Sequence, residues 1–166
     1  IVCGALNASA ADEVRRHLGD WSEGPVPEIV TGRATELLAA ADVALLASGT
    51  VTLEAALSGT PAVVAYRLAP LSWWWLRRAV KVPHVALPNL LLGERVLPEL
   101  LQDAATPTAL ADALDAWLLD PQRVADYRAR CRNLHASLAV GSGLAAAAAI
   151  ERLLAGSLEP SRGTVG

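Results

Sequence analysis

The chain of 166 residues is long enough to bury one good hydrophobic core, and we expect a single domain. An apolar content of 53% excludes a disordered protein, and a net charge of −3 gives no electrostatic reason to expect a nucleic-acid partner. The two cysteines, Cys3 and Cys131, lie outside any zinc-binding spacing, which favours a reducing compartment and no metal site.

The first half of the chain alternates predicted strands with predicted helices. Bounded apolar runs predict strands at residues 1–6, 28–30, 43–47 and 62–65, of which the last two are expected to be buried. Helices are predicted at residues 9–18, 35–41 and 51–57. We expect Ser9 to cap the first of them, and Gly59 and Pro61 to end the third. The alternation predicts a Rossmann-like α/β fold, with a parallel sheet, flanking helices and right-handed crossovers.

The second half is predicted to be mainly helical. A strand is expected at residues 83–87, and helices are expected at 71–80, 97–102, 108–119, 122–138 and 144–154. Thr106 or Thr108 is suited to cap the helix at 108–119. Residues 1–155 then form one domain, and residues 156–166 form a flexible tail. Because the chain opens on a strand pattern without a methionine, we expect it to be a fragment of a longer protein.

The stretch SGTVTLE at residues 48–54 joins a predicted strand to a predicted helix. A glycine turn there leaves helix N–H groups open, and the helix dipole favours an anion such as phosphate. The hydroxyls of Ser48, Thr50 and Thr52 would lie beside those groups, although the same turn also serves as a plain helix cap. A capping box with Glu54 would need Ser or Thr at position 51, which is Val51. Glu54 is therefore either a favourable first-turn charge or an acceptor for a ribose diol.

Three further polar residues are candidates for the same site. Asn89 follows a predicted strand, where it is either a ligand contact or a turn residue. Glu99 and Gln102 are predicted to share one helix face, as site residues or as ordinary surface groups. The three histidines occur in unrelated contexts and predict no shared site. Neither a Gly-x-Ser-x-Gly motif nor a P-loop lysine occurs, so hydrolysis by a side-chain nucleophile lacks its residues.

The segment SWWWLRRAVK combines aromatic and cationic residues at 72–81. Three adjacent tryptophans point around much of a helix, so at least one is expected to be exposed. Tryptophan beside cations suits a membrane interface, and the candidates for membrane contact are Trp73, Trp74, Trp75, Arg77, Arg78 and Lys81. Core packing with a contact to a partner domain is the alternative. No apolar run reaches the roughly 18 residues of a membrane-spanning helix.

In order along the chain, the motifs SGTVTLE, VVAYR, LPNLL and PELLQ resemble those of the C-terminal domain of the lipid-A-disaccharide synthase family. The resemblance covers most of the chain, and the combination is far more specific than any single motif. It implies the C-terminal, donor-binding half of a GT-B glycosyltransferase. Such an enzyme moves 2,3-diacylglucosamine from UDP to the 6-hydroxyl of 2,3-diacylglucosamine 1-phosphate (lipid X), with inversion and without a metal or other cofactor.

The resemblance also implies residue roles. The turn at Ser48, Gly49 and Thr50 would hold the donor diphosphate with support from Thr52, and Glu54 would take the ribose. Asn89 would contact the donor near its diphosphate, Glu99 and Gln102 would line the cleft, and Arg67 would face phosphate or acceptor. The family's Pro-Gly-Ser-Arg loop and its N-terminal acceptor domain, in which the catalytic base is expected, have no match here. The chain alone is therefore expected to be inactive.

The resemblance places the enzyme in the bacterial cytoplasm, at the periphery of the inner membrane. The C-terminal helices are expected to pack on the missing domain or to exchange with a second subunit in a homodimer. Two other functions stay open: another UDP-sugar GT-B enzyme, such as an epimerase or a muramyl-pathway transferase, and a non-catalytic nucleotide-binding or membrane-associating module. The motifs LPNLL and PELLQ argue against the first of these.

Overall fold

A computed structural model describes residues 1–19, 21–22, 24–68, 84–139 and 142–157, with the backbone alone for 142, 144–145 and 154–157. The strands are β1 Val2–Ala5, β2 Glu28–Thr31, β3 Ala44–Ala47, β4 Ala62–Tyr66 and β5 Glu99–Leu101. The helices are α1 Ala8–His17, α2 Ala34–Ala40, α3 Thr50–Ser58, α4 Leu87–Leu92, α5 Pro107–Leu118, α6 Pro121–Ala139 and α7 Ser142–Ser157, and Gln102–Ala104 forms a 3₁₀ turn. The helix predicted at 71–80 lies outside the described residues.

All paired strands in the described part of the chain are parallel, which confirms the predicted α/β class. β1 pairs with β2, and β4 lies between β3 and β5 in a second sheet. The sequence predicts a single parallel sheet, whereas the described residues form two separate parallel sheets. Ala47 lies opposite Ala65, and Tyr66 lies opposite Leu101. The carboxyl ends of β3, β4 and β5 therefore lie level at one edge, where ligands of such sheets bind.

The core forms around β4, where Val63 and Val64 are fully buried. The small residues Ala55 and Ala56 let α3 approach the sheet closely, and α3 packs on α2, α4 and α6. The indole N–H of Trp117 on α5 donates to the Ala62 carbonyl at 3.2 Å. The core is thus held by close packing and by this buried hydrogen bond.

Helix α6 contributes two titratable groups to the core, Tyr127 and Cys131. Burial raises the pKa of the Tyr127 hydroxyl and also the pKa of the Cys131 thiol. Both side chains are therefore neutral core groups at physiological pH. Cys131 and Cys3 are both free thiols.

Two predictions on the first half are corrected. The side chain of Asn7, not of Ser9, caps α1 by accepting from the Ala10 N–H at 2.9 Å. Asparagine and serine are comparable N-cap residues, so residue type alone does not distinguish Asn7 from Ser9 as the cap. The strand at β3 is not fully buried, because Leu45 is 50% exposed while its neighbours face the core. By contrast, Gly59 caps α3 in the left-handed conformation, as predicted, with φ 70°.

Two predictions on the second half are wrong. Residues 84–86 form no strand, because a side-chain carboxylate takes the N–H groups of Val85 and Ala86, and α4 begins at Leu87. Residues 99–101 form a strand instead of a helix, because pairing with the edge of β4 overrides local helix propensity. Gln102 then ends that strand with a positive φ of 52°.

The C-terminal half otherwise follows the prediction. Thr106 caps α5 by accepting from the Ala109 N–H at 3.2 Å, and α6 and α7 match the predicted helices. Gly156 and Ser157 belong to α7 and not to the tail, and residues 158–166 lie outside the described residues. None of the helices described has the length and hydropathy that crossing a membrane requires.

Candidate functional site

The turn at residues 48–50 lies at the carboxyl edge of the three-stranded sheet, between β3 and α3. Gly49 has φ 149° and ψ −167°, a conformation that is essentially restricted to glycine. No side chain of the described residues caps α3, and both Gly49 and Thr50 are exposed. The Thr52 N–H is bonded to the Gly49 carbonyl at 3.1 Å, whereas the N–H groups of Gly49 and Thr50 have no partner among the described residues. These two N–H groups are therefore open to a ligand, and the helix dipole favours an anion there.

Replacing Gly49 by alanine is expected to lower the free energy of unfolding by about 1–2 kcal/mol. A Cβ atom at this position would meet no atom within 4 Å, so the cost arises from the backbone conformation and not from a clash. Urea denaturation measures the change. Gly143→Ala is the control, because that glycine lies in a helix and its added Cβ also meets nothing within 4 Å. If the wild type and Gly49→Ala were equally stable, the backbone conformation at residue 49 would impose no strain on a residue with a side chain.

Two hydroxyl groups attach this turn to the segment that leads into α4. Ser48 donates to the Val85 carbonyl at 3.1 Å. The fully buried Thr52 donates to the Gly49 carbonyl at 2.7 Å and accepts from the Leu87 N–H at 3.3 Å. Both hydroxyl protons are thus used within the protein. Among the predicted hydroxyls of this turn, that of Thr50 is the exposed one.

Asn89 lies in α4, and its side chain is completely buried. Its amide oxygen accepts from the N–H groups of Val96 and Leu97 at 2.9 and 2.8 Å. Its amide nitrogen donates to the Leu97 carbonyl at 2.9 Å and to the Glu99 carboxylate at 2.8 Å. These bonds use both amide protons and both oxygen lone pairs. Asn89 therefore holds α4 against the start of β5.

Glu99 is the second member of this buried network, with its side chain 6% exposed. Its Oε1 accepts from Asn89 and also from the N–H groups of Val85 and Ala86, at 3.1 and 2.9 Å. His84 Nδ1 lies 3.8 Å from Oε2. The sequence carries no signal for a role of His84 beyond its position just before the LPNLL motif. The carboxylate thus fixes the segment to which Ser48 and Thr52 are bound.

Gln102 organises the exit of β4 in a similar way. Its side-chain amide accepts from the Leu68 N–H at 2.6 Å and donates to the Leu68 carbonyl at 3.2 Å. Arg67 donates to the Gln102 carbonyl at 3.4 Å, and the Arg67 side chain is exposed. Arg67 is therefore placed at the carboxyl edge with its charge in solvent.

Glu54 lies on α3 one turn after the predicted phosphate site, and its side chain is partly buried. It forms no hydrogen bond or ion pair within the described part of the chain. The structure thus joins the turn at 48–52 to residues 84–89 and Glu99, and it joins Arg67 to Gln102. Glu54 is joined to neither group by a hydrogen bond or ion pair among the described residues. The six membrane-contact candidates at 73–81 lie outside the described residues.

The described residues form clefts away from the carboxyl edge but no metal-binding cluster of acidic, cysteine or histidine side chains. Two clefts, of about 230 and 340 Å³, both lie along α6 and not at the carboxyl edge. No group of three or more His, Cys, Asp or Glu side chains in the described ranges is arranged to hold a metal ion. Among the described residues, the carboxyl edge presents the Thr50 hydroxyl and the N–H groups of Gly49 and Thr50 beside the partly buried Glu54 carboxylate.

Comparison with known proteins gives consistent matches. A family model described as lipid-A-disaccharide synthetase matches residues 27–152. The lipid-A-disaccharide synthase of Alkalilimnicola ehrlichii is 55% identical over 123 residues, which are 74% of this chain and 32% of that protein. That of Aromatoleum aromaticum is 46% identical over 148 residues, 88% of this chain and 38% of the relative. The synthase of Neisseria meningitidis serogroup C is 41% identical over 152 residues, which are 88% of this chain and 40% of that protein. The chain thus spans roughly a third to two fifths of the length of these curated relatives.

Proposed function

Because the chain belongs to the lipid-A-disaccharide synthetase family, we propose that it is the donor-binding half of a GT-B glycosyltransferase of lipid A and lipopolysaccharide biosynthesis. The reaction transfers 2,3-diacylglucosamine from UDP to 2,3-diacylglucosamine 1-phosphate, inverts the anomeric centre and releases UDP. The observation that carries the proposal is the uncapped, glycine-dependent start of α3 at the carboxyl edge of a parallel sheet, within the residues that the family model matches.

The donor's diphosphate is held by the backbone N–H groups at Gly49 and Thr50 and by the Thr50 hydroxyl. Ser48 and Thr52 act differently, since their hydroxyl protons are used to fix the turn. Asn89 and Glu99 are positioning residues, because their polar atoms bind the protein's own backbone. Gln102 orients the exit of β4, and Arg67 there presents a cation toward phosphate or acceptor.

The chemistry assigned to this half is stabilisation of the leaving group. Negative charge develops on the diphosphate as the glycosidic bond breaks. N–H groups already pointing at that position stabilise the charge without reorganising. A general base must also accept the proton of the acceptor hydroxyl. That base, like the acceptor site, is assigned to the part of the enzyme that corresponds to the unmatched length of the relatives.

Membrane contact is proposed for the segment at 73–81, at the cytoplasmic face of the inner membrane, because both substrates carry acyl chains. Tryptophan rings lie at the headgroup level and the adjacent cations interact with anionic lipids. The family match disfavours an epimerase or a muramyl-pathway transferase.

The activity is tested by exchanging the matched region between two proteins. Replacing the 123 aligned residues of the Alkalilimnicola ehrlichii synthase by those of this chain is expected to preserve disaccharide formation and UDP release. The 166-residue chain alone is expected to bind UDP and to release none from the donor. A folded chimera that binds UDP without transfer would favour a non-catalytic nucleotide-binding module instead.

A further inference from the structure

A positively charged cleft lies at the C-terminal end of α3, opposite the turn at residues 48–50. A cleft of about 230 Å³ is formed between the C-terminal end of α3 and α6, and its lining includes Ser58, Arg128, Arg132 and His135. Since α3 has nine residues and a helix rises about 1.5 Å per residue, the cleft lies roughly 13 Å from the turn at 48–50. The diphosphate assigned to that turn does not reach it.

The cleft concentrates positive charge without a compensating carboxylate. Arg128, Arg132 and His135 are spaced i, i+4 and i+7, so they share one face of α6. Among the described residues, no Asp or Glu lines the cleft. Helix α6 carries four arginines and one aspartate, whereas the whole chain has a net charge of −3. The positive charge is therefore local.

The other two arginines of α6 are engaged elsewhere. Arg130 forms an ion pair with Glu94 at 2.5 Å, and the Arg123 guanidinium lies 4.0 Å from the centre of the Trp117 ring. The two arginines at the cleft form no ion pair with any described residue. Two like charges one turn apart destabilise a helix, so a bound anion would relieve that repulsion.

Capping of α3 accounts for only part of this arrangement. The Arg128 Nε–H donates to the Gly59 carbonyl at 3.2 Å, which fixes the side chain. The carbonyls of Ala55 and Ala56 are already bonded to the N–H groups of Thr60 and Gly59. The terminal nitrogens of Arg128 form no hydrogen bond with any described residue, so they are available to a ligand. Arg132 takes no part in the cap.

We propose that this cleft binds a phosphate group, either free phosphate or that of a phosphoester. Guanidinium groups donate pairs of parallel N–H bonds that match phosphate oxygens. The hydroxyl of Ser58 and the ring of His135 provide further donors at the same opening. The volume is below the roughly 300–1,000 Å³ of pockets for drug-sized ligands, which suits a small anion.

Titration calorimetry with inorganic phosphate tests the site on the 166-residue protein. The wild type is expected to show saturable binding, and Arg128→Gln/Arg132→Gln is expected to weaken it at least tenfold. The matched control is Arg15→Gln/Arg16→Gln on α1, which removes the same charge from exposed helical positions and is expected to change affinity less than twofold. Circular dichroism verifies that each variant is folded. The proposed site would be refuted if the wild type showed no saturable binding of phosphate. It would also be refuted if Arg128→Gln/Arg132→Gln left the affinity unchanged, or if both double variants weakened binding equally.

A second measurement identifies where the phosphate comes from. Cosedimentation with phosphatidylglycerol vesicles that is lost in Arg128→Gln/Arg132→Gln and competed by phosphate would assign a lipid headgroup. Phosphate binding without such cosedimentation would assign a soluble phosphate compound. UDP affinity is expected to be unchanged in this variant. A failure of the wild type to bind UDP would therefore refute the donor site and leave the phosphate result standing.

Discussion

Replacing Asn89 by alanine is expected to lower the free energy of unfolding by about 3–5 kcal/mol, near the upper limit for one substitution. The change removes four hydrogen bonds from a completely buried side chain. The N–H groups of Val96 and Leu97 would lose their acceptor, and that of Leu97 lies in a buried position. The Glu99 carboxylate would lose a donor, although two backbone N–H groups remain bound to it.

Urea denaturation measures this loss, and Asn133→Ala is the matched control. Asn133 is an exposed residue of α6, where the same substitution is expected to change stability by less than about 0.5 kcal/mol. A loss below 1 kcal/mol for Asn89→Ala would show that the network does not hold α4 to the start of β5.

Replacing Glu54 by alanine is expected to weaken UDP binding about 10- to 100-fold. A hydrogen bond to a charged group contributes about 1.5–3 kcal/mol, and Glu54 is partly buried with no partner in the described part of the chain. The fold itself is expected to persist, since no described contact is lost. Calorimetric titration with UDP gives the affinity, and Glu151→Ala, at an exposed position of α7, controls for the charge change.

A ligand lacking one hydroxyl separates ribose recognition from a general electrostatic effect. The wild type is expected to bind 2′-deoxy-UDP more weakly than UDP, whereas Glu54→Ala is expected to bind both equally. If the variant still distinguished the two ligands as strongly as the wild type, the ribose role would be excluded. Unchanged UDP affinity in Glu54→Ala would exclude it as well.

Local patterns predicted the elements whose signals lie within a few residues. The left-handed cap at Gly59 and the N-cap at Thr106 depend on groups that are close in sequence, and both were predictable. The buried run of β4 was equally clear, because hydrophobic length and flanking turns defined it. The strand β5 could not be predicted in this way, because its conformation depends on pairing with β4. The paired residues of β4 lie 35 positions earlier in the chain.

The same distinction applies to the candidate site. The glycine turn at 48–50 was predictable because its conformation needs Gly49 itself. The positions of Asn89 and Glu99 were not, because each is determined by a network that joins residues 84–89 to residues 96–99. Polar side chains that complete such a network carry no local periodicity. Sequence therefore identified the residues of this region, while the contacts of Asn89 and Glu99 came only from the structure.

Amide hydrogen exchange of the 166-residue protein, with and without UDP, tests most directly whether the start of α3 binds the donor. We expect UDP to slow exchange at residues 48–54 and 84–89, because the ligand covers the start of α3 and stabilises the segment bound to it. Exchange at residues 128–135, at the far end of α3, is predicted to stay unchanged. Slowing confined to residues outside 48–54, or no slowing at saturating UDP, would contradict the assignment of the donor site.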